Sequence, residues 1–133
     1  MAAPQPAPPR PAAAPQLLRY AGAGAIGTAV HYALLIALVQ LADFGAVVAS
    51  SIGAVAGALL NYGLNHRFTF QSDKAHRHAL PRFALIAAAG IALNASVLAA
   101  LLAYVTPNYL AAQVIATLVV MVAGYAANRA WTF

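Results

Sequence analysis

The sequence predicts an all-α polytopic membrane protein, with four transmembrane helices arranged as two parallel-repeated helical hairpins. Three observations predict this. Of 133 residues, 63% are hydrophobic and only 7% charged, with a mean hydropathy of +0.77. A soluble domain carries about 25% charged residues, and so few charges cannot cover a water-exposed surface. The charges are also spaced at membrane intervals. None falls between Arg19 and Asp43, none between Asp43 and Arg67, and none between Arg82 and Arg129, where Thr106-Pro107-Asn108 breaks the middle. One crossing of about 30 Å of hydrocarbon takes roughly 20 apolar residues, so these intervals hold one, one and two crossings. Finally, residues 17–70 align with 80–133 at a constant offset of 63, without a gap.

Taken in order, residues 1–16 hold most of the 8 prolines (Pro4, Pro6, Pro8, Pro9, Pro11, Pro15) among alanines. They are expected to form a disordered Pro/Ala-rich tail, and they lack the basic-then-apolar pattern of a signal peptide. Spans are predicted near 18–41, 46–66, 82–104 and 108–129. The links at 42–45 and 105–107 are long enough only for tight helical hairpins. Arg10 and Arg19 precede span one, Arg67, Lys74, Arg77 and Arg82 surround the central loop, and Arg129 ends span four. The hairpin links hold Asp43 and no cation. The positive-inside rule then puts both termini and the central loop in the cytoplasm.

The repeat is parallel, because each unit crosses twice and both units enter from one side. Such symmetry puts a site between the halves. His31 lies opposite Asn94 in the alignment, and both are expected near the middle of the bilayer, where polar groups are costly and face the interior. Two readings apply to this pair: an interhelical hydrogen bond that fixes packing, or a polar stepping point for a substrate. Ala49, Gly53, Gly57, Asn61 and Asn65 form a small-to-polar stripe on span two, and Gly53-x-x-x-Gly57 is a packing motif. Gly22-Ala23-Gly24-Ala25-Ile26-Gly27 spells G-x-G-x-x-G, but it begins a membrane helix rather than following a strand, so it reads as close helix packing and not nucleotide binding.

Arg67 and Arg129 end spans two and four, where the helix dipole and membrane topology both favour a cation. Arg19 and Arg82 begin spans one and three, where the dipole disfavours one. Topology accounts for them, and so does a bound anion, since helix N-termini with arginines make a phosphate cradle. Asp43 and Asp73 are the only carboxylates, and there is no cysteine. Ser50, Ser51 and Ser96 have no base and orienter. The expectation is a protein that is not an enzyme, with no cofactor, no metal site and no nucleic-acid partner.

The terminal run Asn61-Tyr62-Gly63-Leu64-Asn65-His66-Arg67-Phe68-Thr69-Phe70 aligns with Gly124-Tyr125-Ala126-Ala127-Asn128-Arg129-Ala130-Trp131-Thr132-Phe133. With the Arg19-Tyr20 and Arg82-Phe83 that open each half, this signature resembles the GtrA-like family of small four-span membrane proteins over residues 17–133. The resemblance implies a bacterial inner-membrane protein of cell-surface polysaccharide synthesis or modification. Its implied work is translocation of a polyprenyl-phosphate-linked sugar, typically undecaprenyl-phosphate glucose, to the outer leaflet. It marks Asn65, Arg67, Asn128 and Arg129 as candidates. The physical reading gives phosphate to Arg19, Arg82, Arg67 and Arg129, and the sugar to Asn61, Asn65, Tyr62, Tyr125 and Asn128, with His31 and Asn94 bridging the apolar middle. Two departures stand out: Gly124 replaces Asn61, and the basic residue after the shared asparagine comes one position later in the first copy. The alternative is a non-transporting subunit that docks or stabilises a polyprenyl-phosphate glycosyltransferase through residues 71–80. Partners expected are the sugar lipid, bulk membrane lipids, such a transferase, and a second copy in a homodimer that would widen the groove.

Overall fold

The computed structural model describes residues 2–6, 13–69 and 76–131. Among these there are four helices and no strand: α1 (Ala13–Ala42), α2 (Ala46–Leu64), α3 (His76–Tyr104) and α4 (Tyr109–Trp131). One π-helical turn, Asn65–Thr69, prolongs α2. The segments Ala21–Ala42, Ala46–Arg67 and Pro81–Tyr104 are each long and apolar enough to cross a membrane, and α4 is apolar over Tyr109–Gly124.

The helices start in register with each other. Ala13 and His76, and likewise Ala46 and Tyr109, lie 63 residues apart. Both α1 and α3 therefore begin well before Arg19 and Arg82. Helix α1 reaches back into the segment expected to be disordered, because alanine is the best helix former and Pro15 falls in the first turn, where a missing N–H costs little. Helix α3 reaches back past Pro81, which lies inside it. The consequence is a correction to the phosphate cradle. Arg19 and Arg82 stand about 9 Å from their helix starts at 1.5 Å per residue, so the free N-terminal amides are not beside them.

The turns are built from local chemistry. Asp43 adopts a left-handed φ of 57°, a conformation that short polar side chains tolerate. Phe44 then donates its N–H to the Leu38 carbonyl at 3.0 Å, closing the reversal. In the second hairpin Asn108 caps α4, its Oδ1 accepting the N–H groups of Leu110 (3.1 Å) and Ala111 (3.3 Å). This satisfies donors that have no partner inside the helix.

The interior is small and partly polar. Leu35, Leu98, Ala49, Ala112, Ser50 and Gln113 are wholly buried. They fall into pairs 63 residues apart: Leu35 with Leu98, Ala49 with Ala112, Ser50 with Gln113. Large apolar side chains face outward instead, with Leu41 86%, Leu18 73% and Val122 68% exposed. Water would not tolerate such a surface, whereas lipid requires it.

The first hairpin is the tighter one. A Cβ on Gly57 would come within 2.5 Å of the Gly27 carbonyl oxygen, and one on Gly53 within 2.6 Å of the His31 carbonyl oxygen. The α1 and α2 backbones thus touch, as small residues permit in lipid. In the second hairpin Ala116 and Val120 stand where Gly53 and Gly57 do in the first, and a Cβ on Gly90 meets only Val120 Cγ1 at an ordinary 3.7 Å. Of the G-x-G-x-x-G run only Gly27 packs in this way; added Cβ atoms at Gly22 and Gly24 meet nothing within 4 Å. Gly57→Ala should therefore cost about 1–3 kcal/mol, the usual penalty for overpacking. Gly22→Ala should hold or raise stability through helix propensity. Thermal unfolding in detergent distinguishes them, and equal midpoints for the two variants would refute the close contact.

Candidate functional site

The polar residues that the sequence scatters over four helices meet at one place. Helix α1 contributes His31, near the centre of its span, and Tyr32. Helix α2 contributes Ser50, α3 Asn94, and α4 Gln113 and Thr117. Ser50 Oγ donates its proton to Gln113 Oε1 and accepts from Asn94 Nδ2 at 2.8 Å. It also lies 3.1 Å from His31 Nε2. Since the only serine proton goes to Gln113, the imidazole must be the donor, with Nε2 protonated. Gln113 Nε2 donates to Asn94 Oδ1 at 2.8 Å and to Thr117 Oγ1 at 3.1 Å. The Tyr32 hydroxyl bonds Thr117 Oγ1 at 2.7 Å. Both lone pairs and the proton of Ser50 are thereby used. No buried side-chain polar atom among the described residues lacks a partner, as a low-dielectric interior demands.

Four members of this network form two pairs at the repeat spacing: His31 with Asn94, and Ser50 with Gln113. The contact between His31 and Ser50 within the first hairpin has its counterpart between Asn94 and Gln113 within the second. The bond between Ser50 and Gln113 joins the two hairpins.

Beside the network lies a cavity of about 240 Å³ between the hairpins. Its wall includes His31, Asn94 and Thr117 at the network, and Asn61 on α2 farther out. All four helices line it along their halves nearer the arginines. Ser50 and Gln113 lie on the other side of His31 and Asn94, toward the connecting turns. The cavity therefore lies in the arginine half of the bundle and is floored by hydrogen bonds. Among the described residues no lysine, arginine, aspartate or glutamate lines it. Its size is just below the ~300–1,000 Å³ of sites for drug-sized ligands, the scale of a single sugar ring.

Arg19, Arg67 and Arg82 are exposed, and the helix directions put all three at one end of the bundle, with Asp43 at the other. Arg67 sits in the π-helical turn, a distortion frequent at functional sites. Asn65 is buried and donates to Asn61 Oδ1 at 2.7 Å. The Tyr62 ring packs 4.9 Å from Phe83 and 5.7 Å from His66, between centroids. The structure thus brings His31, Asn94 and Asn61 to one cavity, and Asn65 and Tyr62 to the α2 end next to it. None of the arginines whose side chains are described, Arg19, Arg67 and Arg82, lines the cavity. The side chains of Tyr125, Asn128 and Arg129 lie outside the described residues, as do those of the expected docking segment 71–80.

Ser50, Gln113, Tyr32 and Thr117 were not expected as site residues. The gapless repeat sets Ser50 opposite Gln113 and carried a usable signal. Both fall barely more than one turn into their helices, however, where a polar residue reads as interfacial.

A family model described as GtrA/DPMS, transmembrane domain, matches residues 19–133 of the chain. No curated protein and no solved structure matches it significantly.

Proposed function

The chain belongs to the GtrA/DPMS transmembrane-domain family, and from that premise we propose that it translocates a polyprenyl-phosphate-linked sugar, such as undecaprenyl-phosphate glucose, across the bacterial inner membrane. The family has a role in lipid-linked sugar translocation or a related function. In this reading both termini and the arginine end are cytoplasmic, following the positive-inside rule. The protein performs no bond chemistry.

One observation supports the reading above the others: a polar-floored cavity, lined by no charged side chain among the described residues, lies between the hairpins in the same half of the bundle as Arg19, Arg67 and Arg82. The lipid divides naturally over this arrangement. Its phosphate is an anion and meets the arginines, with Arg129 completing the set. Its sugar is neutral and rich in hydroxyls, and enters the cavity toward Asn61, Thr117, Asn94 and His31. In this proposal Asn65, Tyr62, Tyr125 and Asn128 also hydrogen-bond the sugar. The prenyl chain stays in lipid throughout, so only the head needs shelter.

Passage to the other leaflet requires the floor to open. The bonds among Ser50, Gln113, Asn94 and His31 break, and sugar hydroxyls replace them one for one. Such exchange keeps the net cost small, because an intramembrane hydrogen bond is worth only about 0.6 kcal/mol on average. An unaccompanied charge at that depth costs several times more. In this reading movement is passive, or is driven by consumption of the sugar outside or by an ion gradient.

The test is reconstitution of the full chain in liposomes holding labelled undecaprenyl-phosphate glucose, with outer-leaflet exposure followed over time. Exposure well above protein-free vesicles is expected. Rates equal to empty vesicles would overturn translocation. If the same protein then still retained a polyprenyl-phosphate glycosyltransferase in the membrane, the docking role would stand in its place.

A further inference from the structure

The two seams where the hairpins meet are not alike, and the difference has a use. At the arginine end of the α2–α3 seam, the Tyr62 ring packs against Phe83 at 4.9 Å. The α1–α4 seam is held at two levels, by Tyr32 with Thr117 (2.7 Å) and by Gln40 with Tyr109 (3.0 Å). Those contacts fix an antiparallel register in which residue numbers rise along one helix as they fall along the other. One turn farther toward the arginine end, the same register sets Thr28 opposite Met121. Both line the cavity, and among its lining residues they are the two that are exposed. The cavity thus breaks the surface between them. Beyond them, added Cβ atoms at Gly22, Gly24 and Gly124 would meet nothing within 4 Å. Gly124 holds the place that Asn61 has in the first repeat. The departure from the repeat therefore falls at the seam that is open.

We propose that the α1–α4 seam at Thr28 and Met121 is a lateral portal, occupied by the first isoprene units of the lipid while its sugar sits in the cavity. This rests on the translocation reading. The occupant follows from continuity. A head in the cavity and a chain in the bilayer must be joined through an opening in the wall, and this one is flanked by apolar, lipid-facing side chains, Met121 at 63% and Val122 at 68% exposed. The chain need never cross the packed interior, and the lipid enters sideways.

Two measurements test it. Undecaprenyl-phosphate glucose with a diazirine on the isoprene unit next to the phosphate is photolysed in vesicles with the wild-type chain. Label is expected on residues 24–28 of α1 and 118–124 of α4; label spread evenly over all four helices, or concentrated on α2 and α3, overturns the portal. The chain contains no cysteine, so Thr28→Cys with Met121→Cys makes a single pair that a short reducible thiol cross-linker can bridge. Bridging should slow translocation at least tenfold, and reductant should restore it. A bridged protein that translocates at the unbridged rate overturns the portal and leaves translocation intact. If neither wild type nor the reduced pair moves lipid, translocation itself fails, and the labelling pattern alone decides whether the seam holds the chain.

Discussion

Replacing Arg19 and Arg82 together by alanine is expected to slow translocation about a hundredfold while the protein still inserts. Each guanidinium offers a fork of donors to a phosphate, and hydrogen bonds to charged groups contribute about 1.5–3 kcal/mol. Both arginines are exposed, so the lower figure applies, about tenfold for each. Lysine at both positions preserves charge and topology but loses the planar fork, and should recover part of the rate. The assay is liposome translocation with insertion checked by protease protection. An alanine pair that inserts normally and translocates at the wild-type rate would show that these arginines serve topology alone. The helix starts at Ala13 and His76 sharpen this expectation. Without terminal amides nearby, the side chains themselves must hold the anion.

Gln113→Leu is the second large effect. The side chain accepts from Ser50 and donates to both Asn94 and Thr117, and leucine leaves the Ser50 proton and Asn94 Oδ1 without these partners, while Thr117 keeps Tyr32 and the backbone carbonyl of residue 113. Leaving a buried polar group unpaired costs about 1–3 kcal/mol. Membrane measurements of single hydrogen bonds reach about 1.7 kcal/mol, so a total of about 2–3 kcal/mol is expected. Because the partners act as a unit, adding Ser50→Ala to Gln113→Leu should cost less than the sum of the two single changes. Denaturant unfolding in mixed micelles measures all three proteins. Strict additivity would mean that the residues do not share a network.

The fold was legible because membrane physics leaves few choices. Charge-free intervals between Arg19, Asp43 and Arg67 can only be crossings, and the offset of 63 that pairs His31 with Asn94 also pairs the buried Leu35 with Leu98. Helix ends were less legible. Placing them at Arg19 and Arg82 equates the edge of the hydrocarbon with the end of the helix, yet an alanine-rich helix continues into the headgroups at no cost. For the site, His31 and Asn94 are conspicuous as polar residues deep in apolar spans. Ser50 was hidden in a stripe of small residues, and Gln113 beside a turn. Their meeting depends on how the hairpins cross, which no single helix records. The asymmetry of the seams was visible only as the exchange of Asn61 for Gly124, whose meaning needed the register set by Tyr32 and Thr117.

Translocation by this route needs a cavity in lipid that is reached from the arginine side and sealed from the other by the polar floor. Because the native chain has no cysteine, single cysteines report this directly. Ala87→Cys lines the cavity, and Gly45→Cys marks the opposite turn. In sealed vesicles of known orientation, a membrane-impermeant maleimide should modify position 87 from the arginine side alone and position 45 from the turn side alone. Modification of position 87 from the turn side, or of both positions from one side, would contradict it.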